Sequence, residues 1–222
     1  MTLQQVIDEA RDTLDDKVSP YLWSDEDLTR YANRAQERLC EEAYLITDSS
    51  TVAVCTLNLQ SGVQNYTKHP SIVSVSEIWL PALSRPVAKK TRAWLESNYT
   101  SWRAVPAGAP IYFCEEIDTG KVTFIPAPNA AMAGNLTVFR RALVPLSASN
   151  PSASPEIPPA SHKYLKYGIL ALAYEKQDTE CYDPEKATKN MALFERDIKK
   201  AFLQNDKANY SSQTVGVHKA FI

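Results

Sequence analysis

The sequence predicts an α+β fold: a helical bundle formed by the N- and C-terminal helices, a β-rich insertion, and an extended C-terminal tail. Three observations support this prediction. Apolar residues recur at helical spacing near both ends, period-2 runs separated by turn residues fill the middle, and helical periodicity is lost after Lys207. Because neither helical arm alone has enough apolar surface for a stable fold, pairing the two arms is the most economical arrangement.

These changes of pattern divide the chain into five parts. The parts are the N-terminal helices of the bundle at 1–48, the β-rich insertion at 49–147, a Pro/Ser linker at 148–160, the C-terminal helices of the bundle at 161–207, and an extended arm at 208–222. The abundance of Pro, Ser and Ala between 145 and 160 is typical of an extended surface linker.

Two helices are predicted at the N-terminal end. Over residues 2–15 the apolar side chains follow the i, i+3, i+4, i+7 pattern of an amphipathic helix. The second helix is predicted to run from about Ser24 to Ile46. Ser24 can cap it, and the three consecutive carboxylates at 25–27 occupy its first turn, where the positive end of the helix dipole favours negative charge.

A hinge, Val18–Ser24, joins these helices and carries three large apolar side chains directly before the cap: Tyr21, Leu22 and Trp23. One apolar residue ahead of a helix cap can fix the entry angle of the chain, whereas three suggest a knob that packs on another surface. That surface is either the chain's own bundle or a neighbouring copy. Tyr21, Leu22 and Trp23 are therefore candidate subunit-interface residues.

The middle of the chain is predicted to be rich in strands. Period-2 patterns predict strands at 51–59, 72–80 and 135–143, and a hairpin with strands at 111–117 and 121–125 that turns at 118–120. A short helix is predicted at 91–99. Three tryptophans in this region, Trp79, Trp94 and Trp102, are predicted to be core or sheet-packing residues.

Two more helices are predicted towards the C-terminal end. Ser161 is expected to cap the first, whose apolar residues extend almost all round, so this helix is predicted to be central and buried. Asp183 is expected to cap the second, with Pro184 at its first helical position. The predicted core stripe of the last helix consists of Ala187, Met191, Phe194, Ile198, Ala201 and Phe202.

The tail beyond Lys207 is first polar and then apolar. Two interpretations stay open: a frayed terminus, or an extended arm that orders on a partner, since a free tail gains nothing from exposed Phe and Ile side chains. The candidate arm residues are Tyr210, Val215, Val217, His218, Phe221 and Ile222.

Composition excludes several classes of function. The 222 residues are 44% hydrophobic and 23% charged, and their net charge of -2 gives no electrostatic footprint for tight nucleic-acid binding. No apolar run approaches the ~20 residues that span a bilayer, so no membrane association is expected. Cys40, Cys55, Cys114 and Cys181 form no C-x-x-C pair and are predicted to be buried free thiols of a soluble protein made in the cytoplasm.

The sequence contains no plausible catalytic centre, so neither a catalytic residue nor a cofactor is predicted. Asp118-Thr-Gly120 spells the D-T-G of aspartic proteases, but that chemistry needs two copies and only one occurs. A Gly-containing hairpin turn explains this motif better. His69, His162 and His218 are isolated and have no metal-ligand spacing, so no metal site is predicted.

Glu115 and Glu116 are adjacent carboxylates in the predicted hairpin. Neighbouring strand residues point to opposite faces of a sheet, so this pair is not expected to flank a sugar bond as a glycosidase pair would. A solvated edge or a charged contact is the expected role.

Arg30, Arg34 and Arg38 form a basic stripe at i, i+4 and i+8 on the second helix. They either pair with carboxylates of their own helix, at ~0.3 kcal/mol for each pair, or contact a neighbouring subunit or DNA. The three arginines are therefore further candidate subunit-interface residues.

The order of these features resembles the head-to-tail adaptor (head completion) proteins of tailed bacteriophages. The resemblance covers most of the chain, and its motifs are structural. They are Thr13-Leu14-x-Asp16, Tyr21-Leu-Trp-Ser-Asp-Glu-Asp-Leu28, Asn33-x-Ala35-Gln36, Ile125-Pro126-x-Pro128, Ala133-Gly134-x-Leu136-Thr-Val138 and Arg140-Arg141-x-Leu143.

The resemblance implies a structural, non-enzymatic role in the virion neck between capsid and tail. It implies a homo-oligomeric ring, usually of twelve copies, that binds the portal protein, docks tail or nozzle proteins and extends the DNA channel without sequence-specific binding. It also implies that the C-terminal arm reaches into the portal. The alternatives are another neck or tail-tube component and a cell-wall or peptide hydrolase.

Overall fold

The computed structural model describes residues 1–99 and 101–210, and these form a mixed α+β structure with a curled sheet. The six α-helices of this part are α1 (Leu3–Leu14), α2 (Asp25–Ala43), α3 (Val52–Cys55), α4 (Arg92–Asn98), α5 (Leu165–Tyr174) and α6 (Pro184–Tyr210). Its strands are β1 (Thr47–Asp48), β2 (Thr56–Leu59), β3 (Asn65–Thr67), β4 (Ile72–Leu80), β5 (Arg85–Lys89), β6 (Tyr112–Glu115), β7 (Lys121–Ile125) and β8 (Met132–Arg140). Short 3-10 helices occupy Pro81–Leu83, Trp102–Ala104 and Pro159–Tyr164.

The chain separates into two compact units, which we call the helical unit (1–45 and 144–222) and the β unit (46–143). The β unit is therefore continuous in sequence, whereas the helical unit is assembled from both ends of the chain. Helices α1, α2, α5 and α6 belong to the helical unit, and all eight strands belong to the β unit.

Helix α5 lies at the centre of the helical unit and packs against α1, α2 and α6. Its position confirms the prediction of a central, buried helix. Gly168 makes the close packing possible, because a Cβ atom there would lie 2.8 Å from Cβ of Ala35 and 3.0 Å from Cζ of Phe194. Only a residue without a side chain fits this crossing without movement of its neighbours.

The sheet of the β unit has the strand order β1-β8-β4-β5-β6-β7-β3, and β2 also pairs with β8. The neighbours are antiparallel except for β5 and β6, which are parallel. Its largest buried cluster includes Val75, Ile78, Phe113, Phe124 and Val138. These side chains come from β4, β6, β7 and β8, so one core holds the curled sheet together.

Several predicted elements are confirmed. Strand β4 occupies 72–80, α4 lies within 91–99, and β6 and β7 form the predicted antiparallel hairpin. Helix α6 starts as expected, because the carboxylate of Asp183 accepts a hydrogen bond from the backbone N–H of Lys186 at 2.9 Å. All four cysteines are buried and free.

The predicted strand at 51–59 is wrong in its first half. Residues 52–55 form the single helical turn α3, and only 56–59 form a strand. The cause is Asp48, whose carboxylate accepts hydrogen bonds from the backbone N–H groups of Ser50 at 2.9 Å and Thr51 at 3.1 Å. These bonds turn the chain into α3 before β2 begins.

Other predicted boundaries are shifted. Helix α2 ends at Ala43 and not at Ile46, because Tyr44 adopts the left-handed conformation with φ of 53°. Strand β8 covers 132–140 and not 135–143, since its pairing with β2 begins at Met132. Ser161 lies buried in a 3-10 helix and does not cap α5, which begins at Leu165.

Two residues that were predicted to pack in the core or on the sheet are partly exposed. Phe202, expected in the core stripe of α6, is 38% exposed, and Trp79 on β4 is 40% exposed. Met191 is only partly buried, whereas Ala187, Phe194, Ile198 and Ala201 are buried as predicted. Helix α6 continues through Tyr210, so residues 208–210, predicted to begin the extended arm, are helical.

The stretch predicted to be an extended surface linker, 145–160, has no regular secondary structure before Pro159, but hydrogen bonds hold it against the N-terminal helices. Asn33 accepts from the backbone N–H of Leu146 at 2.8 Å and donates to its carbonyl at 2.9 Å. The backbone N–H groups of Leu3 and Gln4 donate to carbonyl groups at residues 153 and 151. Leu146 and Ile157 are buried, which anchors the segment at both ends.

Candidate interaction site

The hinge between α1 and α2 is held by a buried ion pair. A guanidinium nitrogen of Arg11 lies 2.6 Å from a carboxylate oxygen of Asp16, and the two side chains are only 7% and 3% exposed. The other terminal nitrogen of Arg11 donates to the carbonyl of Trp23 at 2.8 Å and to the carboxylate of Asp25 at 2.8 Å. Arg11 therefore ties the end of α1 to the start of α2.

Asp16 completes this network from the other side of the loop. Its carboxylate accepts hydrogen bonds from the backbone N–H groups of Leu22 at 2.9 Å and Trp23 at 3.2 Å. The Nζ of Lys176 donates to the carbonyl of Leu22 at 2.8 Å. Both backbone polar groups of Leu22 are thereby satisfied, which fixes the conformation of the loop.

Trp23 packs inside its own unit. It is 2% exposed, its indole N–H donates to the carbonyl of Ala173 at 2.9 Å, and its ring meets that of Tyr174 edge to face. This burial decides between the two surfaces considered for Trp23: its partner is its own helical unit, so it is not available to a neighbouring copy.

Three other hinge residues form an exposed apolar surface, which we call the hinge knob: Val18, Tyr21 and Leu22. They are 80%, 46% and 40% exposed. The ring of Tyr21 lies 3.6 Å from the guanidinium carbon of Arg11, so its position is set by the same buried arginine. The knob is thus an apolar surface on a fixed backbone.

The three arginines of the predicted basic stripe on α2 differ in whether they form an ion pair. Arg30 pairs with Asp27 at 2.7 Å and Arg38 with Glu42 at 2.8 Å, both within the same helix. Arg34, which lies between them, is exposed and forms no ion pair or hydrogen bond with the described residues. Of the three arginines, Arg34 is the one whose charge is available to another molecule.

The predicted arm falls mostly outside the described residues. Val215, Val217, His218, Phe221 and Ile222 lie beyond residue 210, and Tyr210 is the last residue of α6.

The comparison with known families identifies a family for this chain. A model of the SU10 adaptor protein family matches residues 1–217. The chain belongs to the SU10 adaptor protein family. This membership makes it a structural adaptor protein of a phage, and it implies a place in the virion and interaction with portal and tail proteins in general. No curated protein matches the chain.

The adaptor also has a charged cluster in its β unit. The Nζ of Lys68 lies 3.2 Å from Glu115 and 2.6 Å from Glu116, and Lys89 pairs with Glu115 as well. Glu116 has a positive φ of 58°, so it leaves the strand geometry, and both carboxylates reach the same ammonium group. The expectation of opposite faces was wrong for this reason, and the expectation of a charged contact is confirmed.

The charged groups in this cluster shift the pKa values of their neighbours. Burial would raise the pKa of Glu115, but Lys89, the N–H of Val75 and Lys68 together hold this pKa below its ordinary value. Burial would lower the pKa of Lys68, and the two carboxylates raise it instead. Glu115 and Lys68 are therefore each stabilised in the charged form by their partners in the cluster.

The other candidate motifs of the adaptor have structural roles. Asp118 and Gly120 lie in the turn of the β6–β7 hairpin, where Asp118 pairs with Lys121 at 3.2 Å and Gly120 has φ of 71°. His162 is buried, with its ring nitrogens within hydrogen-bonding distance of the N-terminal amine at 3.0 Å and the carbonyl of Ile157 at 2.9 Å.

The described part of the adaptor contains neither a metal-binding cluster nor a membrane-spanning helix. Within 1–99 and 101–210, no group of three or more His, Cys, Asp and Glu side chains is placed to hold a metal ion. No helix in the same ranges is long and apolar enough to cross a membrane.

Sequence reasoning missed the two residues that organise the adaptor's hinge. Asp16 belongs to the Thr13-Leu14-x-Asp16 motif, whereas Arg11 reads as one more charged residue on a helical pattern. A signal was present in part: Arg11 lies one residue from the apolar stripe at Ala10 and Leu14, and charges so placed are buried only when paired.

Proposed function

We propose that this adaptor forms a homo-oligomeric ring, a dodecamer, between the portal and the tail of the virion. The ring extends the DNA channel below the portal and gives tail or nozzle proteins a docking surface. The main observation behind this proposal is the family match over residues 1–217.

The surfaces of the helical unit support contact between subunits. The hinge knob presents Tyr21 and Leu22 from a braced loop, and such preorganised apolar side chains bind at a low entropic cost. Arg34 supplies a charge with no partner among the described residues. Exposed aromatic or apolar anchors and available guanidinium groups are both enriched at contact sites between proteins.

The net charge of the helical unit supports a channel through which DNA passes. The helical unit has 15 Lys and Arg residues against 20 Asp and Glu residues, a net charge of -5, whereas the β unit has 9 against 6, a net charge of +3. A ring whose helical units surround the channel would repel the phosphate backbone. DNA would then pass without sequence-specific binding and without adhering to the wall.

The segment at 211–222 is proposed as the arm that binds the portal, with Tyr210 at its base. Its apolar residues, Val215, Val217, Phe221 and Ile222, suit insertion into a protein groove better than exposure to water.

The test is to measure the mass of the adaptor alone and mixed with its portal protein. We expect a ring in the mixture, and we expect a chain that stops after Tyr210 to stay folded but to lose binding to the portal. Normal binding by the truncated chain would exclude the arm. A particle of one or two adaptor copies on each portal would exclude the ring, and a ring found only within the tail would make the protein a tail-tube component.

A further inference from the structure

An exposed apolar patch lies near the C-terminal end of α6, and we call it the α6 patch: Phe202 and Leu203. Phe202 is 38% exposed and Leu203 is 56% exposed. The two side chains line a shallow groove together with the buried Ile198 and with Glu42 and Lys199, so the groove has an apolar floor with one charge of each sign beside it.

The packing of α6 fixes the patch in this exposed position. The side-chain amide of Asn205 donates to the carbonyls of Ala43 at 3.2 Å and Tyr44 at 2.7 Å, where α2 ends. Phe194, Ile198 and Ala201 face the core. Rotating the helix to bury Phe202 and Leu203 would break the Asn205 bonds and expose core residues, so this helix cannot cover the patch by itself.

A suitable cover is present in the same chain. Residues 211–214 are polar, Ser-Ser-Gln-Thr, and residues 215–222 contain Val215, Val217, Phe221 and Ile222. From Tyr210 back to Phe202 is ~12 Å along the helix axis, at about 1.5 Å per residue. Five residues in extended conformation span ~17 Å, so residues 211–215 can bridge this distance and bring the apolar residues onto the patch.

We propose that, in the unassembled adaptor, residues 215–222 bind the α6 patch of their own chain and leave it when they bind the portal. The release rests on the proposed function, whereas the binding within the chain does not. The consequence is regulation: the apolar arm stays covered until a portal is present, so free subunits do not associate through it.

The size of the patch favours this occupant over a second copy. A stable interface between two proteins buries about 800 Å² on each partner, and the exposed parts of two side chains amount to far less. A tethered segment needs much less contact, because its effective concentration near the patch is on the order of millimolar. Contact within the chain is therefore sufficient where contact between copies is not.

The test is the rate at which trypsin cleaves after Lys219 in the full-length chain without portal. We compare the wild type with Leu203→Ser, which changes a side chain already more than half exposed, and with Phe202→Asp/Leu203→Asp. We expect about tenfold faster cleavage in the double variant and an intermediate rate in the single one, because cleavage follows the population of the released arm. The matched control is Val144→Asp, which changes a 75% exposed apolar residue of the same unit and should leave the rate unchanged.

Three outcomes decide the proposal. Equal cleavage of wild type and both patch variants, with unchanged circular dichroism, overturns it. If protection of Lys219 from trypsin disappears when the adaptor is diluted, the patch is covered by a second copy, and this result also overturns the proposal. Protection at all concentrations that is lost in the patch variants supports it. Because portal is absent, a failure of the ring proposal leaves this result unaffected.

Discussion

The guanidinium of Arg11 and the carboxylate of Asp16, 2.6 Å apart and almost fully buried, determine the conformation of the hinge that presents Tyr21 and Leu22. They are five positions apart in sequence, and together they bind the hinge backbone at three points, the N–H groups of Leu22 and Trp23 and the carbonyl of Trp23. The surface of the hinge knob therefore depends on charges that lie beneath it.

Replacing Asp16 by Asn should strongly destabilise the adaptor. The change leaves the charge of Arg11 buried with a weakened partner network, and breaking such a pair typically costs about 3–5 kcal/mol in the free energy of unfolding. Urea denaturation followed by circular dichroism measures this. The control is Asp12→Asn, which removes the exposed pair with Lys17 and should cost less than about 1 kcal/mol. Equal losses in the two variants would contradict the structural role of Arg11 and Asp16.

Gly168→Ala should destabilise the helical unit by about 1–3 kcal/mol, because the added methyl group meets Ala35 and Phe194 at the crossing of three helices. Thermal unfolding measures the change. The control is Gly134→Ala, where the nearest atom to the new Cβ would be a flexible Leu80 methyl at 3.5 Å. If Gly168→Ala cost no more stability than Gly134→Ala, the close contact at Gly168 would not limit the size of this residue.

The β unit should lose stability in acid through Asp48. Burial would raise the pKa of Asp48, but hydrogen bonds from Thr51 and Ser50 and the guanidinium of Arg140 outweigh burial and lower it. The depressed pKa means that the stabilisation is present above the unfolded-state value of about 3.9 and is lost as the pH falls below it.

We therefore expect the free energy of unfolding to decline below about pH 4, and Asp48→Asn to be less stable at pH 7 but to show a shallower decline. Urea titrations between pH 2 and 7 measure both slopes. Asp118→Asn is the control, because its carboxylate is half exposed and pairs only at the surface. Parallel slopes for wild type and Asp48→Asn would assign the acid sensitivity to other carboxylates.

The thiols of the folded adaptor should react slowly. All four cysteines are buried, and burial raises the pKa of Cys55 to about 11 and raises the pKa values of Cys114 and Cys181. Few thiolates are present at pH 8, and thiolate is the reactive form. Labelling with a disulfide reagent should be slow in buffer and should reach four thiols in denaturant. Rapid labelling of the folded chain would show that one of them is accessible.

Arg34→Glu should weaken ring assembly with portal without changing the stability of the isolated adaptor, since Arg34 has no ionic partner in the described part of the chain. Lys189→Glu, the same reversal at another exposed site of the helical unit, is the matched control. The mass of each portal mixture is the readout. Equal assembly of both variants would remove Arg34 from the proposed subunit contact.

The sequence was most informative where a local pattern determines the structure. The alternation in 72–80 and the cap and proline at Asp183–Pro184 predicted β4 and the start of α6. The sequence was least informative where contacts between residues far apart in the chain determine the local structure. Asp48 replaces half a predicted strand by a helical turn and binds Arg140, 92 residues away, and Asn205 holds α6 so that Phe202 stays exposed.

Only the part of the candidate site that depends on local sequence was predictable. Tyr21 and Leu22 stand out in the sequence as apolar residues in a turn, and both are exposed. The burial of Trp23 depends on the carbonyl of Ala173, 150 residues away, and no local pattern contains this contact. The positive φ of Glu116 brings two neighbouring carboxylates to Lys68. The rule that neighbouring strand residues point to opposite faces of a sheet does not predict this conformation.

The division of the helical unit between the two ends of the chain has a consequence for synthesis. Helices α1 and α2 leave the ribosome before the 98 residues of the β unit at 46–143, and their partner α5 follows only after these. At about 5–20 residues per second, the apolar faces of α1 and α2 wait roughly 6–25 s for α5. The β unit, continuous in sequence, can fold during this interval. The first-made helices are thus among the last to be packed, and the nascent chain is most exposed to aggregation during that wait.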